Sequence, residues 1–275
     1  MIYLTYHAKH PDVQDGTGAQ YQRVIGIICI ALRYNLNYVH TKIQTIETCN
    51  GFEVDEKYIN YTEEYFQFSK YFQNVESIKY DEIYEIFDPS IYEILCKNTQ
   101  DKNILIQMCM PYTICDRQPS IYSNNMVLLR QISLRNGCFP SLKKETTKKE
   151  IAIHIRRGDV DDINNNGRYI PIHTYIKIIE TLKSRCKNSN ITIYTEFNNI
   201  KNKNEFDVFK NNENITIKAD IDPIQSIYEM SVADILVIGK SSFSYIAGLY
   251  NKNTVFYFNF WHSPLDNWIN VNQLL

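Results

Sequence analysis

From residue 149 onward, apolar and polar positions follow two regular patterns in turn. Short, largely apolar runs at 151–155, 191–194, 215–218, 234–238 and 254–258 have the length and β-branched content of buried strands. Between them lie segments whose apolar residues recur three and four positions apart. The clearest is 171–186, where Ile172, Tyr175, Ile176, Ile179 and Leu182 mark one face and Pro171 stands at the opening turn. Helices are likewise predicted at 205–210, 223–231 and 242–250, the last opening on serine hydroxyls suited to an N-cap. Strands that are nearly continuously apolar, in strict alternation with helices, predict a parallel sheet covered on both faces, a doubly wound α/β lobe.

The first half opens the same way, with a strand at 2–6, a glycine-bearing loop at 15–18, a helix at 20–33 and a strand at 37–41. Residues 53–97 are aromatic and acidic. Tyr58, Tyr61, Tyr65, Phe68 and Phe72 have helical spacing there, a stripe that forms either core or an acceptor groove. A strand at 104–108 and a helix at 125–135 follow. The polar stretch 141–150, dense in Lys and Glu, reads as a linker, so two lobes are expected, 1–140 and 141–275, with a ligand cleft between their strand ends. The run Val24–Leu32, closed by Arg23 and Arg33, is far shorter than the ~20 residues that span a bilayer and lacks a small-residue cleavage site after it. A buried helix is expected, and no membrane segment.

Composition narrows the function classes. The chain of 275 residues carries 29 Lys+Arg against 31 Asp+Glu, a formal charge of −2, which argues against a partner that is nucleic acid, since phosphate neutralisation supplies most of such affinity. With 44% hydrophobic and 22% charged residues it has the material for a folded core. The 21 Tyr reflect either nucleotide bias or a contact surface. The seven Cys are scattered without a CxxC pair, which speaks against structural zinc and for reduced thiols, hence an expected cytoplasmic, soluble protein.

The sharpest chemical feature is His154-Ile155-Arg156-Arg157-Gly158-Asp159 at the C-terminal end of a predicted parallel strand, where open α/β sheets bind ligands. Side chains alternate across a strand, so His154 and Arg156 share a face and Arg157 points elsewhere. Arg156 is therefore the expected phosphate ligand, through charge-assisted bonds of roughly 1.5–3 kcal/mol each. Arg157 is expected to be structural or paired with Asp159. The alternatives are a salt-bridge hub, an adhesion tripeptide at 157–159, or coincidence. The second feature, Lys240-Ser241-Ser242-Phe243-Ser244, places serines at a helix N-terminus, which either caps the helix or presents N–H groups to an anion. Together the two features describe a pyrophosphate site. The third, Asp15-Gly16-Thr17-Gly18-Ala19-Gln20, fails as a dinucleotide fingerprint because Tyr21 occupies the third glycine position. It remains a glycine turn for close ligand approach or an ordinary turn.

In this order, Gly16 to Gln20, His154 to Asp159 and the apolar strand leading to Ser241–Ser244, the motifs resemble the GDP-sugar fucosyltransferases of the α1,2, α1,6 and protein-O-fucosyl type, most closely the α1,2 branch around 230–247. The resemblance implies a GT-B fold of two Rossmann-like lobes and an inverting, metal-independent transfer of fucose from GDP-fucose to a glycan or protein hydroxyl, with no cofactor. It implies Arg156 at the β-phosphate, His154 at guanine or ribose, Ser242 with the backbone near Ser241 completing the cradle, and Gly18 and Gln20 lining the donor side of the first lobe. Arg157 joins the donor set. Asp159 would orient the arginines or assist the base. The acidic base-reading position falls on Ser226, leaving Asp222 as its substitute, and Ala19 replaces an Asn. Asp161 and Asp162 are candidates for the general base, or members of a solvated loop. No carboxylate pair at hydrolase spacing is recognisable, and Asp220 and Asp222, though spelling a metal-type DxD, read as a cap before Pro223. Another nucleotide-sugar donor, or a catalytically silent nucleotide-sugar or glycan-binding module on the same fold, are the rival readings.

Overall fold

The computed structural model describes residues 1–10, 15–47, 54–97, 99–134, 147–198, 200, 202–210 and 212–275. The chain divides into two compact units, Met1–Cys138 and Phe139–Leu275. In the first, the elements are β1 (Ile2–Tyr6), α1 (Thr17–Arg33), β2 (Asn37–Tyr38), α2 (Glu56–Phe66), α3 (Phe68–Tyr71), β3 (Glu82–Ile86), α4 (Ile91–Leu95), β4 (Ile104–Met108), α5 (Tyr112–Arg117) and α6 (Ser120–Leu134). Its four strands are all parallel in the order β2-β1-β4-β3. Every residue of the central strand β1 is buried. The Val24–Leu32 run lies in α1, where Val24 to Ala31 are all buried. Of the aromatic stripe, Tyr65 and Phe68 are core, beside Phe66, which stacks on Tyr21 with ring centroids 4.0 Å apart, while Tyr58, Tyr61 and Phe72 are half-buried.

In the second unit the elements are β5 (Lys149–His154), α7 (Ile172–Arg185), β6 (Ser189–Thr195), α8 (Asp207–Lys210), β7 (Ile215–Ala219), α9 (Pro223–Val232), β8 (Ile235–Ile238), α10 (Ser242–Tyr250), β9 (Thr254–Tyr257) and β10 (Ile269–Asn270), with 3-10 turns at Asn166–Arg168, Lys203–Phe206 and Val271–Gln273. The six strands are parallel in the order β10-β9-β8-β5-β6-β7. The chain therefore starts in the middle at β5, winds outward through β6 to the edge strand β7, then returns to the other side of β5 as β8. The loops leaving β5 and β8 part to opposite directions, and this reversal of winding opens a crevice at their C-terminal ends. One layer of its core joins Ile153, Val237 and Ile193 from the sheet to Tyr175, Ile178 and Leu182 from α7.

Three expectations are corrected here. The last two residues of the supposed linker are strand, because β5 begins at Lys149; residues 141–146 lie outside the described residues. The stretch 53–97 contains β3, whose Glu-Ile-Tyr-Glu-Ile sequence is an edge strand with Ile83 and Glu85 exposed rather than part of a helix. Thr17 and Gly18 belong to α1 and not to a loop. No disulfide forms among Cys29, Cys96, Cys109, Cys115 and Cys186, whereas Cys49 and Cys138 lie outside the described residues. Among the described residues no helix is long and apolar enough to cross a membrane.

Candidate functional site

His154 ends β5, and residues 155–159 turn out of the sheet beside the start of α10. Arg156 Nη1 donates to Ser241 Oγ at 2.9 Å, joining the two motifs across the crevice between β5 and β8. Its Nη2 meets Asp159 Oδ2 at 2.7 Å. A guanidinium has five N–H donors, so three remain, and one of them, on Nε, is buried without a partner. Ser241 Oγ also accepts the Phe243 N–H at 3.3 Å as the N-cap of α10. The first turn of that helix thus directs N–H groups and the positive end of its dipole to the place Arg156 faces.

Arg157 leaves in the other direction. It is 3% exposed, with Nε at 2.5 Å and Nη2 at 3.2 Å from the Glu205 carboxylate, Nη1 on the Arg156 carbonyl at 2.8 Å, Nη2 also on the Ile170 carbonyl at 3.2 Å, and the Tyr169 ring beneath it at 4.6 Å. A guanidinium so enclosed has no face left for a donor, so its expected place among the donor ligands is corrected: it is a structural ion pair, and with Glu205 rather than Asp159. Asp159 instead belongs to Arg156. Gly158, between them, has φ +84°, a conformation L-residues avoid, and a Cβ there would sit 2.7 Å from Glu196 Oε2.

His154 is buried, and that burial, followed by the positive Arg156, pushes its imidazole from 6.5 to about 3, so the ring is neutral throughout the physiological range. Its Nδ1 has no partner. Gly239 is the backbone facing it, since a Cβ there would lie 3.1 Å from Nδ1 and 3.0 Å from the His154 carbonyl. The two serines have different partners. Ser241 supplies the side-chain contact to Arg156, whereas Ser242 Oγ lies 3.3 Å from His262 Nε2. Nothing in the local sequence pointed to Glu205 or His262, which come from 48 and 20 positions away.

The remaining expected residues hold contacts of their own. Asp161 closes its own loop: Oδ1 accepts the N–H groups of Ile163 and Asn164 at 2.8 and 2.5 Å, and Oδ2 the Asn164 amide at 3.0 Å. A carboxylate holding a turn in this way is a poor proton acceptor for a substrate, and the solvated-loop alternative describes it and the exposed Asp162. Asp222 caps α9 through the Gln225 N–H at 2.8 Å, in the connection that follows the edge strand β7. Its partner in the DxD spelling, Asp220, accepts the Phe197 and Asn198 N–H groups. In the first unit, Gln20 is 1% exposed, its amide donating to the Asp15 and Thr45 carbonyls and accepting from Tyr6 at 3.2 Å. Gly18 is buried beside it, and Gly16 has φ −68°, open to any residue. Gly18 and Gln20 therefore build the start of α1, Gln20 with its amide engaged inside the first unit.

No protein-family model matches the chain, and no curated protein matches it. Solved structures do. The apo form of POFUT1, a protein O-fucosyltransferase, superposes with a TM-score of 0.51 at 9% identity over 94% of this chain and 98% of that one. POFUT1 in complex with GDP-fucose gives 0.53 at 10% over 94% and 97%, and in complex with GDP 0.50 at 10% over 94% and 99%. At such identity the likeness establishes architecture: an α/β fold of the GT-B kind, two Rossmann-like lobes with parallel sheets.

Proposed function

We propose that the protein is an inverting, metal-independent glycosyltransferase that moves fucose from GDP-fucose to a hydroxyl of a glycan or protein acceptor. The observation that carries this reading is the bond between Arg156 and Ser241, which brings a guanidinium with three unused N–H groups and the first turn of α10 to one point in the crevice. Two such donors converging on one point suit a diphosphate. As the sugar–phosphate bond opens, charge collects on the departing β-phosphate, and fixed N–H donors in a partly buried site stabilise it without rearranging. Asp159 acts through Arg156 as a positioning residue. His154, neutral and with one ring nitrogen unpartnered, suits a hydrogen bond to a neutral part of the nucleotide better than a charge contact. The GDP and GDP-fucose complexes of the POFUT1 neighbours favour this donor class, and the motif order favours the α1,2 branch within it.

Thermal-shift titration with GDP-, UDP- and dTDP-sugars tests the reading, because a ligand held by the native state alone raises the melting temperature, and more so the tighter it binds. Stabilisation by GDP-fucose and GDP is expected. Stabilisation by UDP or dTDP compounds instead would move the assignment to another donor, and none at all would refute it. Stabilisation by GDP-fucose without transfer to any acceptor would favour the silent binding module.

A further inference from the structure

The paired arginines bring less charge to the crevice than their spelling suggests. Arg156 is matched by Asp159 at 2.7 Å and Arg157 by Glu205 at 2.5 Å, so each guanidinium arrives with its own carboxylate. His154 adds none, being neutral. A diphosphate carries at least two negative charges, and hydrogen-bond donors alone leave these without a counter-charge. One cation at the same strand ends is differently placed. Lys240 stands between Gly239, which faces the unpartnered His154 Nδ1, and Ser241, which holds Arg156. Its ammonium meets no carboxylate among the described residues. Nζ donates instead to a neutral acceptor, the Gly167 carbonyl, at 3.1 Å, and an ammonium has two further donors.

Resting on the donor reading above, we propose that Lys240 supplies the net positive charge of the diphosphate site and that Gly167 positions it there. The loop that provides Gly167 is built to hold still. Asn165, in the left-handed conformation at φ +50°, donates from its side chain to the Asp159 carbonyl at 2.9 Å, Asp161 gathers the Ile163 and Asn164 N–H groups, and Arg168 lies over the Trp261 ring at 4.8 Å. The loop thus runs from the Arg156 bend after β5, across Lys240 after β8, to Trp261 after β9, and fixes the ammonium by a single carbonyl without neutralising it. Arg156 gives the site its direction and Lys240 its charge. Two buried polar atoms at the same place, Arg156 Nε and His154 Nδ1, lack partners within the protein, as expected where a ligand completes the set.

The test is calorimetric titration of the full chain with GDP and, separately, with inorganic pyrophosphate, for the wild type, Lys240→Gln and Lys240→Arg. Lys240→Gln should weaken both ligands about tenfold or more, the range of one lost charge-assisted phosphate contact. Lys240→Arg should restore most of that, and the ligand-free melting temperature should be the same for all three proteins. Wild-type affinity for both ligands in Lys240→Gln overturns the inference and leaves the donor reading standing. Equal losses in the Gln and Arg variants also overturn it, since charge would not be the cause. Lys240-dependent binding of pyrophosphate without binding of any nucleotide sugar upholds the inference and refutes the donor reading. Binding of neither ligand by the wild type refutes both.

Discussion

Two adjacent arginines with opposite tasks give the most direct prediction. Replacing Arg157 by Met removes a guanidinium whose side chain is 2% exposed and leaves the Glu205 carboxylate, 11% exposed, without its counter-charge. Breaking a buried pair by removing one partner costs about 3–5 kcal/mol, because the remaining charge stays desolvated. At roughly 2–4 °C per kcal/mol for a chain of this size class, the melting temperature should fall by about 10 °C. Replacing Arg156 by Met breaks a more accessible pair, 21% and 24% exposed, which is worth ~0–1 kcal/mol. Its stability should barely move, while GDP affinity should drop at least tenfold with the loss of its phosphate bonds. Urea unfolding and calorimetric titration of each variant separate the two effects. A third protein, Arg157→Met with Glu205→Met, should recover about 2 kcal/mol or more over Arg157→Met alone, since an apolar pair of similar volume removes the stranded charge. An Arg157→Met protein as stable as the wild type but unable to bind GDP would show that Arg157 faces the ligand and that the division of tasks is wrong.

Two further outcomes follow from the same strand ends. Because His154 refuses a proton down to about pH 3 in the folded protein while the unfolded chain takes one up near 6.5, its contribution to stability is complete above pH 6.5 and shrinks as pH falls toward 3. About 2 kcal/mol should be lost by pH 5; His154→Gln, which has no such titration, should narrow its stability gap to the wild type by that amount between pH 7 and 5, and parallel curves would contradict the assignment. Ser241→Ala removes both the α10 cap, ~1 kcal/mol, and the Arg156 anchor, so it should lower GDP affinity more than Ser242→Ala, which loses only the His262 contact; the reverse order in titration would return the cradle to Ser242.

The sheet of the second unit was legible because its strands are apolar on both faces and its helices are not: β5 to β9 and α7, α9 and α10 lie within a few residues of their predicted bounds. The first unit was harder to read where burial is one-sided. Strand β3, at an edge, exposes Ile83 and Glu85 and so lacks the apolar run that announced the others. At the site, strand alternation predicted different directions for Arg156 and Arg157, and they do diverge, although both stand past the end of β5 at His154. The partners were not readable, because Glu205 and His262 arrive by tertiary packing. Gln20 and Asp161 misled for a common reason: amides and carboxylates that build turns and helix starts have the same letters as those that meet substrates.

The self-neutralised arginines have a consequence for selectivity. Long polyanions, such as nucleic acid strands, are held chiefly by charge density and the counterions they shed, and a surface whose guanidiniums already carry carboxylates offers them little. A small anion that fits the fixed N–H groups gains each of them together with the ammonium of Lys240. Asp159 and Glu205 therefore act as a filter as well as braces, leaving directional donors to one compact ligand while making the same crevice a poor competitor for every polymer of phosphates around it.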